Sequence, residues 1–322
     1  MRFISIPQNG MSWSDRLIYS FATGLDEPTD VDIEIFDIDA NQLIARKRLY
    51  SVTYSDVDIA PILRSIADMR IKSEGLTGIF RSPCSMNVAV GIMSQMSNIR
   101  LYTSTPIDIS KPHLLSSMPK SQVLSYGECI MFSVVAPELV SVEVVAYSPT
   151  TTRRRVLVQD SEARVNDVVI DTHDFVRDVQ DVEIVVKSGE SVVESLHVSI
   201  DDNVAKGRRL YWRNWQGGIE SYRFPKSIRL VDEAIINSVS TSEGHISQLV
   251  GSNVRHRLCS ALECGDELRR ISEIIYAPYI YEMTSKGLSC VELTTRRIEH
   301  SRHGELQTLA IELSSEWRGG DL

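Results

Sequence analysis

The sequence feature that most constrains the fold is an internal repeat. Three blocks recur in the same order along the chain: 12–21 (SWSDRLIYSF) with 125–134 (SYGECIMFSV), 31–35 (VDIEI) with 140–144 (VSVEV), and 58–64 (DIAPILR) with 171–177 (DTHDFVR). Their offsets are 113, 109 and 113 residues. Self-similarity at a nearly constant spacing indicates a duplicated structural unit.

The repeated blocks have the composition of β-strands. Val31, Ile33 and Ile35 alternate with acidic residues, and the second copy repeats this alternation at 140–144. Period-two alternation places the apolar residues on one face of a strand. Further short runs of this type, separated by Pro, Gly, Asn and Asp, are typical of a β-sandwich. We therefore predict two tandem β-sandwich domains, with the block at 58–64 forming one helical turn.

The chain beyond residue 203 has a different pattern. Strands are predicted over 227–236, 244–250 and 254–260, and a final antiparallel pair over 289–299 and 306–312 is joined by residues 300–304. Apolar residues at helical spacing predict one helix near 266–278, capped by Asp266. The predicted fold class is thus mostly β: two tandem β-sandwich domains plus a C-terminal β-rich (α+β) module with one helix. The predicted domains are 1–110, 115–203 and 205–322.

Composition limits the function classes. The chain has 322 residues, with 34 Lys and Arg against 43 Asp and Glu, giving a net charge of −9. Binding to nucleic acid phosphates needs surplus Lys and Arg, so no nucleic acid partner is expected. No apolar run is long enough for a membrane span, and the N-terminus does not resemble a secretory signal. The five cysteines lack a regular framework and are interpreted as reduced thiols of a protein made in the cytoplasm.

An aromatic segment at 208–224 (RRLYWRNWQGGIESYRF) is the strongest candidate for a binding site. Aromatic residues flank a Gly-Gly pair, which predicts a β-hairpin. The candidate residues are Tyr211, Trp212, Trp215, Tyr222 and Phe224. Such rings build domain cores, anchor protein interfaces or stack on sugars, and we favour a core and an interface over a sugar site. Because Trp212 and Trp215 fall on opposite faces of a regular strand, one of them is expected to be exposed.

This hairpin resembles a segment of uncharacterised tail-associated structural proteins of bacteriophages and prophages. The block at 58–64 and the closing strand at 306–313 are similar in kind, and those proteins also place two β domains ahead of the hairpin module. The resemblance implies a virion component and carries over no catalytic residues.

Three further segments contain residues that are typical of binding sites. Arg153, Arg154 and Arg155 form the densest basic run, which fits a partner-binding patch but is better explained as charge protection of an edge strand. The run at 37–41 (DIDAN) begins like a calcium loop, but Gln42 stands where the loop needs glycine and Arg48 where it needs glutamate. Cys259 and Cys264 lack the matching ligand pair of a zinc site. No metal and no cofactor are predicted.

The sequence contains no Gly-x-Ser-x-Gly, His-Glu-x-x-His, P-loop or dinucleotide motif. We therefore expect a non-enzymatic structural component of a phage or phage-like particle, such as a tail, baseplate or connector ring protein. Its expected partners are copies of itself, a ring being one arrangement, and other virion proteins, so that it is made in the host cytoplasm and ends in the virion. The alternatives are a carbohydrate- or receptor-binding module using exposed aromatics, and a hydrolase with an unrecognised carboxylate site.

Overall fold

A computed structural model describes residues 1–71, 77–159, 164–203, 206–242, 244–284 and 287–317. The chain is mostly β, as predicted. The elements of the first unit, in chain order, are β1 Arg2–Ser5, β2 Met11–Ser12, β3 Ile18–Ala22, β4 Thr29–Asp37, β5 Gln42–Val52, β6 Tyr54–Asp58, α1 Ala60–Ile66, β7 Gly78–Arg81, β8 Ser85–Ile92, β9 Gln95–Met96 and β10 Arg100–Thr103.

The second unit contains β11 His113–Leu114, β12 Ser121–Leu124, β13 Cys129–Val135, β14 Val140–Tyr147, β15 Thr152–Val158, β16 Val165–Asp171, a 3₁₀ turn Thr172–Asp174, β17 Asp181–Ser188 and β18 Ser191–Ile200. The third contains β19 Arg208–Arg213, β20 Ile219–Phe224, β21 Lys226–Thr241, β22 Gly244–Cys259, α2 Gly265–Ser272, a 3₁₀ turn Glu273–Tyr276, β23 Ile280–Thr284, β24 Gly287–Leu293, β25 Glu299–His303 and β26 Leu306–Trp317.

The first two units have the same sheet topology. The strand orders are β1-β3-β6 and β2-β10-β8-β4-β5 in the first, and β11-β13-β16 and β12-β18-β17-β14-β15 in the second. In both units the short strand that enters the larger sheet pairs in parallel with the last strand. All three repeated sequence blocks fall on equivalent elements. The block at 58–64 becomes helix α1, whereas its copy becomes a 3₁₀ turn.

The alternation predicted for the repeated strands is present. Val31, Ile33 and Ile35 of β4 are fully buried, and Val140, Val142 and Val144 of β14 are buried in the second unit. The two sets belong to separate hydrophobic cores, one in each sandwich. Burial of these branched side chains is what fixes strand register, because a slip of one residue would turn them all to solvent.

The first unit also donates a strand to the second. β7 lies in the first unit by sequence, but it pairs antiparallel with β16 and extends the sheet of the second sandwich to β11-β13-β16-β7. Residues 108–120 are likewise more than a linker, since β11 pairs with β13 and Leu115 is buried. The domain ranges proposed from sequence therefore stay a prediction, and the first two units share backbone pairing.

The third unit is one curved sheet with the order β20-β19-β23-β24-β26-β22-β21, and β25 pairs with β26. Helix α2 packs Leu268 and Ile271 into the core of this unit. The helix begins at Gly265 with Cys264 at the cap position, so the prediction that Asp266 caps it is wrong. Two strand predictions also change. The segments at 227–236, 244–250 and 254–260 form a single long hairpin, β21–β22, and residues 300–303 belong to strand β25 rather than to a loop.

Candidate functional site: the aromatic hairpin and the projecting ribbon

The β19–β20 hairpin is buried on both faces. One face builds the core of the third unit: Leu210 and Trp212 of β19 lie beside Tyr222 and Phe224 of β20, and all four pack against α2 and β26. The Tyr222 and Phe224 rings meet edge to face, with centroids 5.0 Å apart. This arrangement follows from strand alternation, which places every second residue of the hairpin on the same side.

The opposite face of the hairpin packs on the second sandwich. Tyr211 and Ile219 pack with Cys129, Met131 and Val169 in a small core between the two units. The Tyr211 hydroxyl donates a hydrogen bond of 2.9 Å to the carbonyl of Cys129. Burial raises the pKa of Tyr211 above its ordinary value, so this ring stays a neutral donor. The hairpin therefore forms a layer shared by both units.

The interpretation of the hairpin as part of a core agrees with the structure, whereas its role at an interface stays a prediction. Tyr211, Trp212, Tyr222 and Phe224 are buried, because neighbours cover both faces of the hairpin. Trp215 is 60% exposed, as expected for one of the two tryptophans, but the reason differs from strand alternation. β19 ends at Arg213, and Trp215 lies in the turn that leads to β20.

A buried ion pair fixes the hairpin to β16. Nη2 of Arg213 lies 2.6 Å from the carboxylate of Asp167, with both side chains almost fully buried. The same carboxylate accepts a hydrogen bond of 2.6 Å from Ser133, whose Oγ accepts one of 3.0 Å from the backbone N–H of Ile219. Burial is the largest single effect and lowers the pKa of Arg213, but the charge and hydrogen bonds of Asp167, together with Cys84 and Tyr281, raise it above its ordinary value. The Arg213 guanidinium therefore keeps its charge inside the protein.

Glu220 is the centre of a second buried network. Its carboxylate lies 2.8 Å from Nη1 of Arg270 on α2 and accepts a 2.8 Å hydrogen bond from Nδ2 of Asn214 in the hairpin turn. The backbone N–H of Ser117, in the segment between the two sandwiches, donates to the same carboxylate at 2.6 Å. Glu220 thus binds three different parts of the chain while its side chain is excluded from water.

Glu128 carries the third network, in which one carboxylate serves two guanidinium groups. Arg209 lies 3.1 Å from it, and Arg223 also forms an ion pair with it. Burial lowers the pKa of Arg223, as does the neighbouring charge of Arg209, against the opposing effect of Glu128. A cleft of about 590 Å³ opens beside this network, with Tyr222 and Glu263 in its wall.

The charged residues of the three buried networks are not among the sites predicted from the sequence. Arg209, Arg213, Ser221 and Arg223 share the Tyr211 face of the hairpin, as alternation requires. Glu220 lies on the opposite face, directly across from Trp212. The signal present in the sequence was that Tyr211 and Ile219 share the face that carries the arginines, which indicates that this face is covered as well. Each carboxylate of the networks is held by a guanidinium and by further hydrogen bonds, which is how buried charge is accommodated.

The arginine run lies on an edge strand. Arg153, Arg154 and Arg155 belong to β15, the last strand of its sheet, and all three are exposed. Arg154 forms an ion pair of 2.7 Å with Glu143, and Arg155 forms one of 2.8 Å with Asp174. This placement agrees with the interpretation that charge protects an edge strand. Among the described residues, Arg153 forms no ion pair.

The calcium-like run is a turn between β4 and β5. Asp37 and Asp39 both form ion pairs with Arg81, each at 3.1 Å, so a cation-binding role would compete with a fixed guanidinium. Asn41 has a φ of 49° at the tight part of this turn. Across the described ranges, no group of three or more His, Cys, Asp or Glu side chains is placed to hold a metal ion. All five cysteines are free thiols.

The most prominent surface feature is the outer part of the β21–β22 hairpin. β26 pairs with β22 only from Ser252 to Cys259. Beyond that point the two strands pair only with each other within the described residues, ending at the Thr241–Gly244 pair. We call this outer part, residues 235–251, the ribbon. At about 3.4 Å per residue, its six outermost residue pairs extend roughly 20 Å beyond the sheet.

The ribbon carries exposed aliphatic side chains and almost no charge. Ile236, Val239 and Ile246 are each more than half exposed, and Val239 and Ile246 are direct cross-strand neighbours. From residue 234 to 254, Glu243 is the single Asp, Glu, Lys or Arg in the sequence. Other open edges of the chain carry charge, such as 46–48 (RKR) on β5 and the arginines of β15. Edge strands of soluble proteins are ordinarily protected by charge, and this one is not.

Comparisons with known proteins do not assign the chain to a family. No family model matches the chain, and no curated protein matches it. A solved structure of the full extracellular region of plexin A4 is similar over 100% of this chain at 9% sequence identity, with a TM-score of 0.19. The chain spans 40% of the length of that structure, and a likeness at this level carries no argument about fold or function. In the part of the chain that the structure describes, no helix is long and apolar enough to cross a membrane.

Proposed function

We propose that this chain is a non-enzymatic structural component of a phage or phage-like particle, of the tail, baseplate or connector ring type, that assembles with copies of itself and with other particle proteins. The observation that carries the proposal is the ribbon. A projecting hairpin with exposed isoleucine and valine and almost no charge is costly to leave in water and prone to uncontrolled pairing. Such an element is kept in a protein when a partner covers it.

The buried networks support the same proposal from another side. Arg213–Asp167, Glu220 and Glu128 fix the hairpin module to the second sandwich, and β7 joins the second sandwich to the first. An assembly protein must present its contact surfaces at fixed angles, because subunits close into a symmetric particle only when the contact geometry is constant. Units joined by shared strands and buried ion pairs meet this requirement.

The test is reconstitution with the proteins encoded beside the gene for this chain. The full chain and a ribbon-shortened variant, in which residues 237–248 are replaced by an Asn-Gly turn, are each co-expressed with those proteins. Two-residue Asn-Gly loops favour hairpin closure, so the variant keeps the base of β21 and β22 paired. Co-sedimentation of the full chain with particle-sized assemblies, lost in the shortened variant, is the expected result. Sedimentation of the full chain alone as a small species contradicts the proposal.

Trp215 supports a second candidate function, binding to a carbohydrate or a cell-surface receptor. It is the one ring of the hairpin set that faces solvent, and an exposed tryptophan suits stacking on a sugar or anchoring to a cell-surface receptor. Glycan-array binding that is lost in Trp215→Ala and retained in Tyr276→Ala, another exposed aromatic of the same unit, would favour this function over assembly.

A further inference from the structure

We propose that the outer edge of β21 pairs antiparallel with the same edge of a second copy of this chain, giving a two-fold dimer with a continuous β22-β21-β21-β22 sheet. This inference rests on the proposed assembly function and deepens it, since it names the partner and the contacting strand.

The outer backbone edge of β21 is available for pairing in the described part of the chain. β21 runs for 16 residues and is hydrogen-bonded to β22 on one side, while no described strand lies on its other side. A strand edge presents a row of backbone N–H and C=O groups that can pair with another strand. Strand addition at such an edge is a recurrent way in which proteins bind extended segments.

The distribution of charge favours pairing through the β21 edge. Each chain carries a net charge of −9, so two copies repel one another over most of their surfaces. Pairing through β5 or β15 would place arginines of both copies side by side, and like charges on neighbouring strands are destabilising. Pairing through residues 234–241 opposes no charged side chains at all. Of these three edges, the β21 edge is therefore the one that suits a copy of itself.

The symmetry of a contact between two identical edges also favours β21. The outer edge of β22 is occupied by β26 along Ser252–Cys259, which leaves only its distal half open. The outer edge of β21 has no partner strand in the described part of the chain. A contact between two identical edges is isologous and closes at two subunits, whereas head-to-tail contacts continue into rings or filaments. Val239 and Ile236 of one copy would then lie beside the same aliphatic stretch of the other.

The test is a single-cysteine scan in a background in which the exposed thiols are removed (Cys264→Ser and Cys290→Ser). Cysteine is introduced one position at a time at Asn237, Ser238, Val239 and Ser240, and the full chain is oxidised mildly. In an antiparallel two-fold contact, only residues near the axis approach their own copy closely enough for a disulfide. The expected result is a covalent dimer at one or two adjacent positions and little elsewhere.

The control variant is Ser247→Cys. Ser247 is the cross-strand partner of Ser238 and is likewise exposed, but it lies one strand further from the proposed contact. Equal dimer yields at Ser238 and Ser247 would indicate random collision and overturn the inference, as would low yields at every β21 position. A second variant, Val239→Lys, introduces the charge that protects other edges, and it should weaken dimerisation about tenfold or more.

The outcomes separate this inference from the proposed function. Particle-sized co-sedimentation without cysteine crosslinks on β21 would overturn the two-fold contact and leave the assembly role standing. Position-specific crosslinks without co-sedimentation would support the contact and count against a particle component.

Discussion

Arg213 of the aromatic hairpin and Asp167 of the second sandwich form an ion pair of 2.6 Å whose side chains are only 1% and 6% exposed. This pair joins residues 46 positions apart in the sequence and lies between two cores. It is central to how the third unit is held on the second.

Removing one partner of this pair should be strongly destabilising. Asp167→Asn leaves the Arg213 charge buried without its counterion, and breaking a buried pair in this way costs about 3 to 5 kcal/mol. Replacing both residues by apolar ones (Arg213→Met with Asp167→Leu) should cost less than Asp167→Asn, since no charge then remains buried. Urea unfolding measures both free energies.

The control for that prediction is Asp32→Asn. Asp32 and Arg48 form an ion pair of 2.6 Å on the surface of the first sandwich, with exposed fractions of 38% and 55%. Exposed pairs contribute about 1 kcal/mol or less. If Asp167→Asn and Asp32→Asn had the same small effect, the buried network would not be what holds the two units together.

The turn of the hairpin should not tolerate a side chain at Gly218. A Cβ at this position would lie 2.5 Å from the backbone carbonyl of Leu115, so the turn and the inter-sandwich segment would have to move apart. Overpacking of this kind costs about 1 to 3 kcal/mol. Gly218→Ala should therefore lower the melting temperature. Gly265→Ala, at the start of α2 with open space around it, should leave the melting temperature unchanged or raise it.

The tryptophans of the hairpin should differ sharply in their contribution to stability. Trp212→Ala removes a fully buried ring from the core of the third unit and should cost about 3 to 5 kcal/mol in the free energy of unfolding. Trp215→Ala removes an exposed ring and should change it by about 0.5 kcal/mol or less. Equal losses in the two variants would contradict the placement of Trp212 inside and Trp215 outside.

Two buried thiols should make the protein less stable at alkaline pH. Burial raises the pKa of Cys84 to about 11 and that of Cys129 to about 12, against an ordinary value of 9.0. Above pH 9 the unfolded chain loses these protons while the folded protein keeps them. Stability is therefore fully present below about pH 9 and falls as pH rises, by up to about 1.4 kcal/mol per pH unit for each thiol.

The measurement is the free energy of unfolding at several pH values between about 8 and about 9.5, where unfolded tyrosines, with a pKa of about 10, are still mostly protonated. The double variant Cys84→Ala with Cys129→Ala should be less stable at every pH, because it leaves small cavities, but its pH dependence should be flatter than that of the unmodified protein. Parallel curves for the two proteins would show that the thiols stay ionisable in the folded state.

The sequence predicted the duplicated sandwiches because their information is local. Val31, Ile33 and Ile35 recur as Val140, Val142 and Val144, and alternation within five residues is enough to assign a half-buried strand. The same rule failed for the β21–β22 hairpin. Its serines, asparagines and glycines break the alternation, so three short strands were predicted where pairing over 16 residues forms one long hairpin.

The position of the aromatic hairpin could not be predicted from its own residues. Whether Tyr211 faces solvent depends on Cys129 and Met131, about 80 residues earlier, and whether Arg213 is buried depends on Asp167. Strand β7 is a similar case, since nothing in the short run 78–81 (GIFR) indicates that it pairs with β16 instead of its own unit. These contacts are set by tertiary packing, which overrides local pattern.

The most direct test of the central claim, that the ribbon mediates assembly, is the mass in solution measured by light scattering over a wide range of protein concentrations. The account predicts that the full chain rises from the 36.2 kDa of one chain toward twice that value or beyond. It also predicts that the ribbon-shortened variant stays at the mass of one chain. A full chain that remains monomeric at every concentration, or a shortened variant that associates equally well, would contradict it.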